Sequence, residues 1–268
     1  MSATTIPRTT AGTGGVTALH LLRSEWLKLV TVRSTFWTTA VALLLAAAVT
    51  LLFGAAVEPG RGETAGLVLA GATAPLSFVA LVVGVLGVLA IGGEYATLQI
   101  RSSYTAVPQR WPALVAKAVV VGAWSFVLGL VVTFGGFGLI ALLFGGRGLA
   151  VTLNGDTVGA LIGGGLYLAV IGVFSVGLGA LVRASAAGIT VLAALLFVLP
   201  IILAVFAQLL QAEWVANASN FLLSAAGGVL FARPGSAPIE LWAALLALLV
   251  WLAVVWVPAL LLTRVRDV

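Results

Sequence analysis

Long apolar segments separated by short polar connections dominate the pattern of this chain. A helix needs about 20 apolar residues to cross a hydrocarbon core of about 30 Å, and in lipid it satisfies its own backbone polar groups. Apolar and polar residues do not alternate as they would in a membrane barrel. We therefore predict an all-α membrane protein with six transmembrane helices, over 36–57, 65–91, 113–144, 157–182, 186–210 and 241–262.

Three of these segments carry further structural signals. The third is long enough to be tilted or to begin as an interfacial turn. Pro200 lies inside the fifth and predicts a kink, because proline removes one backbone hydrogen bond of the helix. The glycine groups Gly135-Gly136 and Gly163-Gly164-Gly165 predict places where helices approach closely.

The N-terminal region divides into a tail and an amphipathic segment. Residues 1–16 are small and polar without the apolar core of a secretory signal, which predicts a disordered tail before a single six-span domain over 17–268. Helical spacing over 17–35 brings apolar side chains to one face and polar ones to the other, which predicts an interfacial helix with a tryptophan at headgroup depth. The apolar face comprises Leu19, Leu22, Trp26, Leu29 and Val30, and the opposite face Ser24, Lys28 and Thr31.

The connection between the second and third predicted spans is longer and more polar than a simple connector needs to be. It covers 93–112, and its central sequence TLQIRSSYTAV contains good helix formers between Gly92-Gly93 and Pro108. We predict a short polar helix there. Because this helix has neither ligand geometry nor a catalytic group, it is best suited to being held by another protein.

Composition and charge narrow the class of protein further. The chain is 62% hydrophobic and 8% charged, with a mean hydropathy of +1.23, which is too apolar for a soluble domain. The chain has no cysteine and therefore cannot form a thiolate metal site. Its single histidine provides too few ligands for an imidazole metal site, so no cofactor is expected.

Basic residues fall mainly on one side of the predicted spans, which places both termini in the cytoplasm of a multi-pass protein of the cell membrane. The net charge of +5 therefore needs no nucleic-acid partner. The residues on the predicted cytoplasmic side are Arg8, Arg23, Lys28, Arg33, Arg101, Arg110, Lys117, Arg183, Arg264 and Arg266; those opposite are Arg61, Arg147 and Arg233.

Elimination favours a protein whose energy comes from a partner. The glycine-rich phosphate loop G-x-x-x-x-G-K-[ST] is absent, because the two lysines are followed by Leu29 and Ala118. An ion-coupled transporter usually keeps charged side chains near the bilayer midplane, whereas every charged residue here lies outside the predicted spans or within about a turn of their ends. A membrane enzyme would need paired carboxylates, a histidine cluster or an activated nucleophile, and the sequence shows none of these.

Two stretches of the sequence carry the residues of a family resemblance. The first is Ser24 to Trp37, SEWLKLVTVRSTFW, and the candidate residues in and next to it are Arg23, Glu25, Trp26, Lys28 and Arg33. The second contains Glu94, Thr97, Leu98, Pro108, Arg110 and Lys117, and Arg101 is a further candidate there. The first stretch is similar to the opening of actinobacterial permease subunits of type-2 ATP-binding-cassette (ABC) exporters, and the second resembles the cytoplasmic signature of that family. Directly after Glu94 this chain has Tyr95, where many relatives have a second charged residue.

The resemblance implies a permease that dimerises and binds two copies of a separate ATPase, which binds the ATP. It also implies that the interfacial helix and the helix in the 93–112 connection transmit ATPase movement to the spans. Residues 211–240 correspond to the family's extracellular re-entrant or surface segment. Export of a hydrophobic or amphipathic substrate, such as a drug, a peptide or a lipid-like molecule, is the expected activity.

Some alternatives stay open from sequence. Glu94 is expected either to pair with a nearby base such as Arg101 or to be a solvated acid, and Lys117 either to extend to lipid headgroups or to contact the ATPase. At the level of the whole protein, the alternative to a transport subunit is a non-transporting membrane scaffold or sensor-associated subunit that binds its partner through the same connection.

Overall fold

The structure is a helical membrane protein. The computed structural model describes residues 17–57, 64–96, 111–147 and 151–265, and all regular structure in these ranges is helical. Six segments are long and apolar enough to cross a membrane, which confirms the predicted number of spans. The predicted disordered tail, 1–16, lies outside the described residues. The helices are α1 (Ala18–Thr31), α2 (Arg33–Ala56), α3 (Thr64–Thr73), α4 (Leu76–Ala96), α5 (Trp111–Gly145), α6 (Gly155–Val182), α7 (Ser185–Ala193), α8 (Leu199–Leu210), α9 (Glu213–Ser219), α10 (Leu223–Val229) and α11 (Leu241–Val265).

The second span differs from the predicted single helix over 65–91. It consists of α3 and α4, which are separated by a turn at residues 74–75. The carbonyl of Pro75 accepts hydrogen bonds from the backbone N–H groups of Phe78 and Val79 at 3.1 and 2.9 Å, so this proline opens α4. At its other end α4 continues to Ala96, which places Gly92, Gly93 and Glu94 inside the helix.

Pro200 is accommodated by a local change of helix type. One turn of π-helix, Ala194–Val198, joins α7 to α8, and the backbone N–H of Leu199 donates to the carbonyl of Ala194. A π turn is one of the recognised ways in which a helix absorbs a distortion. The predicted distortion of this span thus takes the form of a π turn before Pro200. A second proline inside a span, Pro258, lies in α11.

Helix α6 lies at the centre of the bundle. It packs against α4, α5 and α11, and 67% of its most apolar window is buried, compared with 11% for the span formed by α7 and α8. The difference follows from side-chain size, because α6 is rich in glycine and its neighbours approach its backbone. A β-carbon added to Gly129 of α5 would lie 2.6 Å from the Cα of Gly165 in α6.

The predicted packing role of the glycine groups is confirmed at most of their positions. A β-carbon on Gly163 would lie 1.7 Å from the backbone oxygen of Leu230, and one on Gly136 would lie 3.0 Å from that of Ala72. Gly135 differs, because nothing lies within 4 Å of the place where its β-carbon would be. The glycines thus set the spacing of α5, α6 and the segment after α10, while Gly135 has no such role.

The segment between the fifth and sixth spans contains the short helices α9 and α10. Leu223 and Ala226 of α10 are fully buried, and α10 packs against α6 and α11. The indole N–H of Trp251 in α11 donates to the backbone carbonyl of Phe221 at 2.9 Å. This part of 211–240 is therefore built into the bundle and does not simply connect two spans.

The contact at Gly163 gives a stability prediction. We expect Gly163→Ala to lower the free energy of unfolding by about 1–3 kcal/mol, because the new methyl group would overlap a backbone carbonyl that cannot rotate away. Gly159→Ala in the same helix is the matched control, since nothing lies within 4 Å of its added β-carbon. Thermal unfolding of the two purified variants in detergent should show a lower midpoint for Gly163→Ala alone; equal midpoints would contradict this packing.

Candidate functional site

Four charged side chains from three helices meet at one end of the bundle, and we call them the four-charge cluster. They are Glu25 and Lys28 of α1, Glu94 of α4 and Lys117 of α5. The ammonium of Lys28 lies 2.7 Å from Glu25 Oε1 and 3.0 Å from Glu94 Oε1. The ammonium of Lys117 lies 2.9 Å from Glu94 Oε1 and also donates to Glu25 Oε2. Each base thus bridges both acids.

Burial makes this pairing obligatory. Glu25, Glu94 and Lys117 are only 6%, 8% and 6% exposed. Removing an ion from water costs several kcal/mol even after the protein relaxes, so a buried charge requires a partner of opposite sign and good hydrogen bonds. Two acids and two bases leave the cluster formally neutral. It therefore holds α1 against the ends of α4 and α5 without a net charge in the protein interior.

Lys28 is the most accessible member of the four-charge cluster. Burial by itself would lower the pKa of this ammonium, but hydrogen bonding and charge attraction from Glu25, together with the same effects from Glu94, outweigh it. The pKa of Lys28 is consequently raised above its ordinary value, and the side chain stays cationic at neutral pH. A raised pKa in the folded state means that this pairing stabilises the fold below that pKa and is lost only in strongly alkaline solution.

Local sequence explains how each side chain reaches the cluster. Glu25 and Lys28 are three residues apart on α1, so one helical face presents both. Glu94 lies in the last turn of α4, and Lys117 lies in the second turn of α5. These two positions flank residues 97–110, which lie outside the described residues and connect the two helices in the chain.

A cavity of about 450 Å³ adjoins the four-charge cluster. Its polar side is formed by the cluster and by the first residues of α2, and its apolar side by residues of α4 and α5. Among the apolar lining residues are Leu86, Leu89, Val120 and Val121. Charge on one wall and hydrocarbon on the other is the chemistry that an amphipathic molecule requires.

A second contact lies where α6 ends. Arg183 closes this helix in the left-handed backbone region, with φ of 59°, and its guanidinium lies 5.3 Å over the ring of Tyr95. A cation above an aromatic face is attracted by the ring quadrupole. This contact joins the turn between α6 and α7 to the end of α4, next to Glu94.

The structure places the predicted site residues in three groups. Glu25, Lys28, Glu94 and Lys117 come together in the four-charge cluster, while Arg23 and Arg33 are exposed. Trp26 packs edge to face against Trp124 of α5, with 5.9 Å between ring centroids. The remaining predicted residues, Thr97, Leu98, Arg101, Pro108 and Arg110, lie outside the described residues.

Three expectations about these side chains need correction. Lys117 does not extend to lipid headgroups, because it is buried and bound to two carboxylates. Glu94 is not a solvated acid; it is buried and paired with Lys28 and Lys117. Lys28 was expected on the polar face of α1, opposite the apolar face. Instead, Glu25 and Leu29 are buried against the bundle and Lys28 is partly buried there. Leu19 and Val30 of the predicted apolar face are exposed. The need to pair buried charge overrides the hydrophobic pattern of this helix.

Sequence analysis missed the cluster as a unit. The sequence contains two signals for it. Glu94 lies just after one predicted span and Lys117 near the start of the next, and Glu25 and Lys28 form an acid–base pair with i, i+3 spacing in the predicted interfacial helix. Sequence analysis also missed Thr35 of α2, which is 5% exposed and lines the cavity. Within the described residues, no group of three histidine, cysteine or acidic side chains is positioned to hold a metal ion.

Comparison with known proteins adds no assignment. No protein-family model matches the chain, and no characterised protein matches it either. Function therefore has to be inferred from the six spans, the four-charge cluster and the sequence itself.

The pairing in the cluster is testable through stability. We expect Lys117→Met to lower the free energy of unfolding by about 3–5 kcal/mol, because two buried carboxylates would then share one base. Combining it with Glu94→Gln should cost less than the sum of the two single changes, since the neutral amide no longer needs the lysine. Thermal unfolding in detergent measures both. Arg233→Met, at an exposed position, is the control; a Lys117→Met protein as stable as this control would contradict the buried network.

Proposed function

We propose that this protein is the permease subunit of an ABC exporter, which moves a hydrophobic or amphipathic substrate across the cytoplasmic membrane. A separate ATPase subunit supplies the energy, and two permease subunits form the transport pathway. The six candidate spans and the resemblance of the two sequence stretches named above support this proposal.

The observation that carries the proposal is the position of the four-charge cluster. Glu94 and Lys117 flank the 97–110 connection on its two sides, and both are bonded to α1. A partner that moves the connection would therefore pull on two spans and on α1 at the same time. Buried ion pairs transmit such a displacement well, because separating them exposes unpaired charge in a nonpolar environment.

The chain itself offers no alternative source of energy. Its sequence contains no phosphate-binding loop, and its two lysines are both committed to the four-charge cluster. The cluster lies at the ends of α4 and α5 and not at their midpoints, where coupling ions are usually bound. In the proposed orientation this end faces the cytoplasm, and α1 lies at the inner interface.

The proposed orientation can be tested by labelling, since the chain lacks cysteine. Single cysteines are introduced at Ser24 of α1 and at Ser236 in the connection before α11, both exposed positions. A membrane-impermeant maleimide should label Ser236→Cys in intact cells and Ser24→Cys only after the membrane is opened. Labelling of Ser24→Cys from outside would place the four-charge cluster on the wrong side and end the proposal.

The proposed function predicts an ATPase partner with a phosphate loop. The tagged protein, purified from its own membranes, should carry a cytoplasmic ATPase whose hydrolysis is stimulated in the complex and which drives substrate flux in vesicles. Replacing residues 97–107 with an eleven-residue Gly/Ser linker should reduce the stimulated hydrolysis to the basal rate while membrane insertion persists.

The matched control is a Gly/Ser replacement of residues 233–238, in the connection before α11. This variant should retain the stimulation, because the proposed coupling path does not include it. Unchanged coupling after the 97–107 replacement would refute the assigned path. Partner binding without any flux would instead favour the scaffold or sensor-associated subunit.

A further inference from the structure

The cavity beside the four-charge cluster contains hydrogen-bonding groups that no described residue uses. Oε1 of Glu94 accepts from both lysines, whereas Oε2 accepts no hydrogen bond from any residue in the described ranges. Glu94 lines the cavity, and its side chain is nine-tenths buried. A donor group that enters the cavity would therefore reach a carboxylate oxygen that no described side chain occupies.

A second set of polar groups lies at the start of α2. Val32 caps this helix without a side-chain hydrogen bond, and the backbone N–H of Thr35 donates to the carbonyl of Val32 at 3.1 Å. The N–H groups of Arg33 and Ser34 therefore have no side-chain acceptor among the described residues. Thr35, which is 5% exposed, lines the same cavity together with Ser34, and the hydroxyl of Thr35 donates to no described residue. Helix N-termini with adjoining hydroxyls favour anionic oxygens, above all those of phosphate.

Net charge decides which molecule suits both places. The four described charges of the cluster sum to zero, and a ligand with a single charge would add an uncompensated charge beside them. A zwitterion with an anionic and an ammonium group adds none. The cavity wall of Leu86, Leu89, Val120 and Val121 requires an apolar portion as well. The volume of about 450 Å³ lies within the range of small-molecule sites, of about 300–1,000 Å³.

We propose that this cavity binds a zwitterionic phospholipid whose headgroup joins a phosphate to a primary ammonium. The ammonium donates to Oε2 of Glu94, the phosphate accepts from the hydroxyl of Thr35 and from the N-terminus of α2, and the acyl portion lies along the α4–α5 wall. The bound lipid fills the space between α1 and the spans. This binding is independent of the proposed ATPase partner, because it is a property of the purified chain.

The experiment measures lipid retention by the purified protein in detergent, by native mass spectrometry. The probes are phosphatidylethanolamine, phosphatidylcholine, which has the phosphate but no ammonium N–H, and phosphatidylglycerol, which lacks the ammonium. We expect phosphatidylethanolamine to bind about tenfold more tightly than phosphatidylcholine, as the loss of a hydrogen bond to a charged group implies. Equal retention of all three lipids would overturn the proposal.

A cavity-filling variant separates lipid binding from cluster stability. Gly93 lines the cavity, and no atom of the described residues lies within 4 Å of the place where its β-carbon would be. Gly93→Leu should therefore occupy the site without disturbing the four charges and should abolish the preference. Gly135→Leu in α5 is the matched control, because Gly135 is also open but lies outside the cavity lining. Undiminished lipid retention by Gly93→Leu would exclude this cavity.

Two further variants test the two ends of the headgroup. Glu94→Gln should remove the preference for phosphatidylethanolamine over phosphatidylcholine, whereas Thr35→Val should weaken both lipids alike. Soluble phosphoethanolamine distinguishes a lipid from a free headgroup as the ligand. We expect it not to displace the lipid at millimolar concentration, since it lacks the apolar portion; displacement would assign the site to the free phosphate compound instead.

Discussion

The requirement that buried charge be paired determines how one end of this bundle is built. Glu25, Glu94 and Lys117 are almost fully buried, and each needs opposite charge within hydrogen-bonding distance. The ion pairs that meet this need bring α1, α4 and α5 together. Helix α1 is held against the bundle by these ion pairs and by the edge-to-face contact of Trp26 with Trp124, and much of its apolar face remains exposed.

The glycine-rich centre of the bundle is closely packed. The backbones of α5 and α6 are so close that a β-carbon on Gly129 would lie 2.6 Å from the Cα of Gly165. The backbones of α4 and α6 are similarly close, because a β-carbon on Gly87 would lie 2.9 Å from the carbonyl oxygen of Gly172. Close backbone contact gives dense packing in lipid, where no hydrophobic force draws helices together. The periphery contrasts with it, because only 11% of the most apolar window of the span formed by α7 and α8 is buried.

These two features together join α1 to the ends of the spans. The cluster bonds α1 to the residues on either side of 97–110, and the tightly packed centre extends from those same helices. The cavity adjoins this unit and is lined by residues of α1, α2, α4 and α5. Proposals for an ATPase-driven permease and for a lipid at the cavity thus involve neighbouring parts of the same end of the molecule.

The sequence alone determined the class of protein and the placement of its spans. The six spans lie within a few residues of the predicted segments. The reason is that the length of apolar chain needed to cross a membrane is a local property of the sequence. The close packing at Gly136 and Gly163 was predictable for the same reason. The break before Pro75 was also a local signal, but it was overlooked within a strongly apolar run.

Only the tertiary structure decided the partners of the charged residues. Glu94 is 66 positions from Lys28, and Lys117 is 92 positions from Glu25, so no periodicity or spacing could specify these pairs. Sequence reasoning treated each charge as a separate residue at a membrane surface, where solvation is the default. Packing of α1 onto α4 and α5 removed the water, and once water is excluded the four side chains can remain charged only by binding one another.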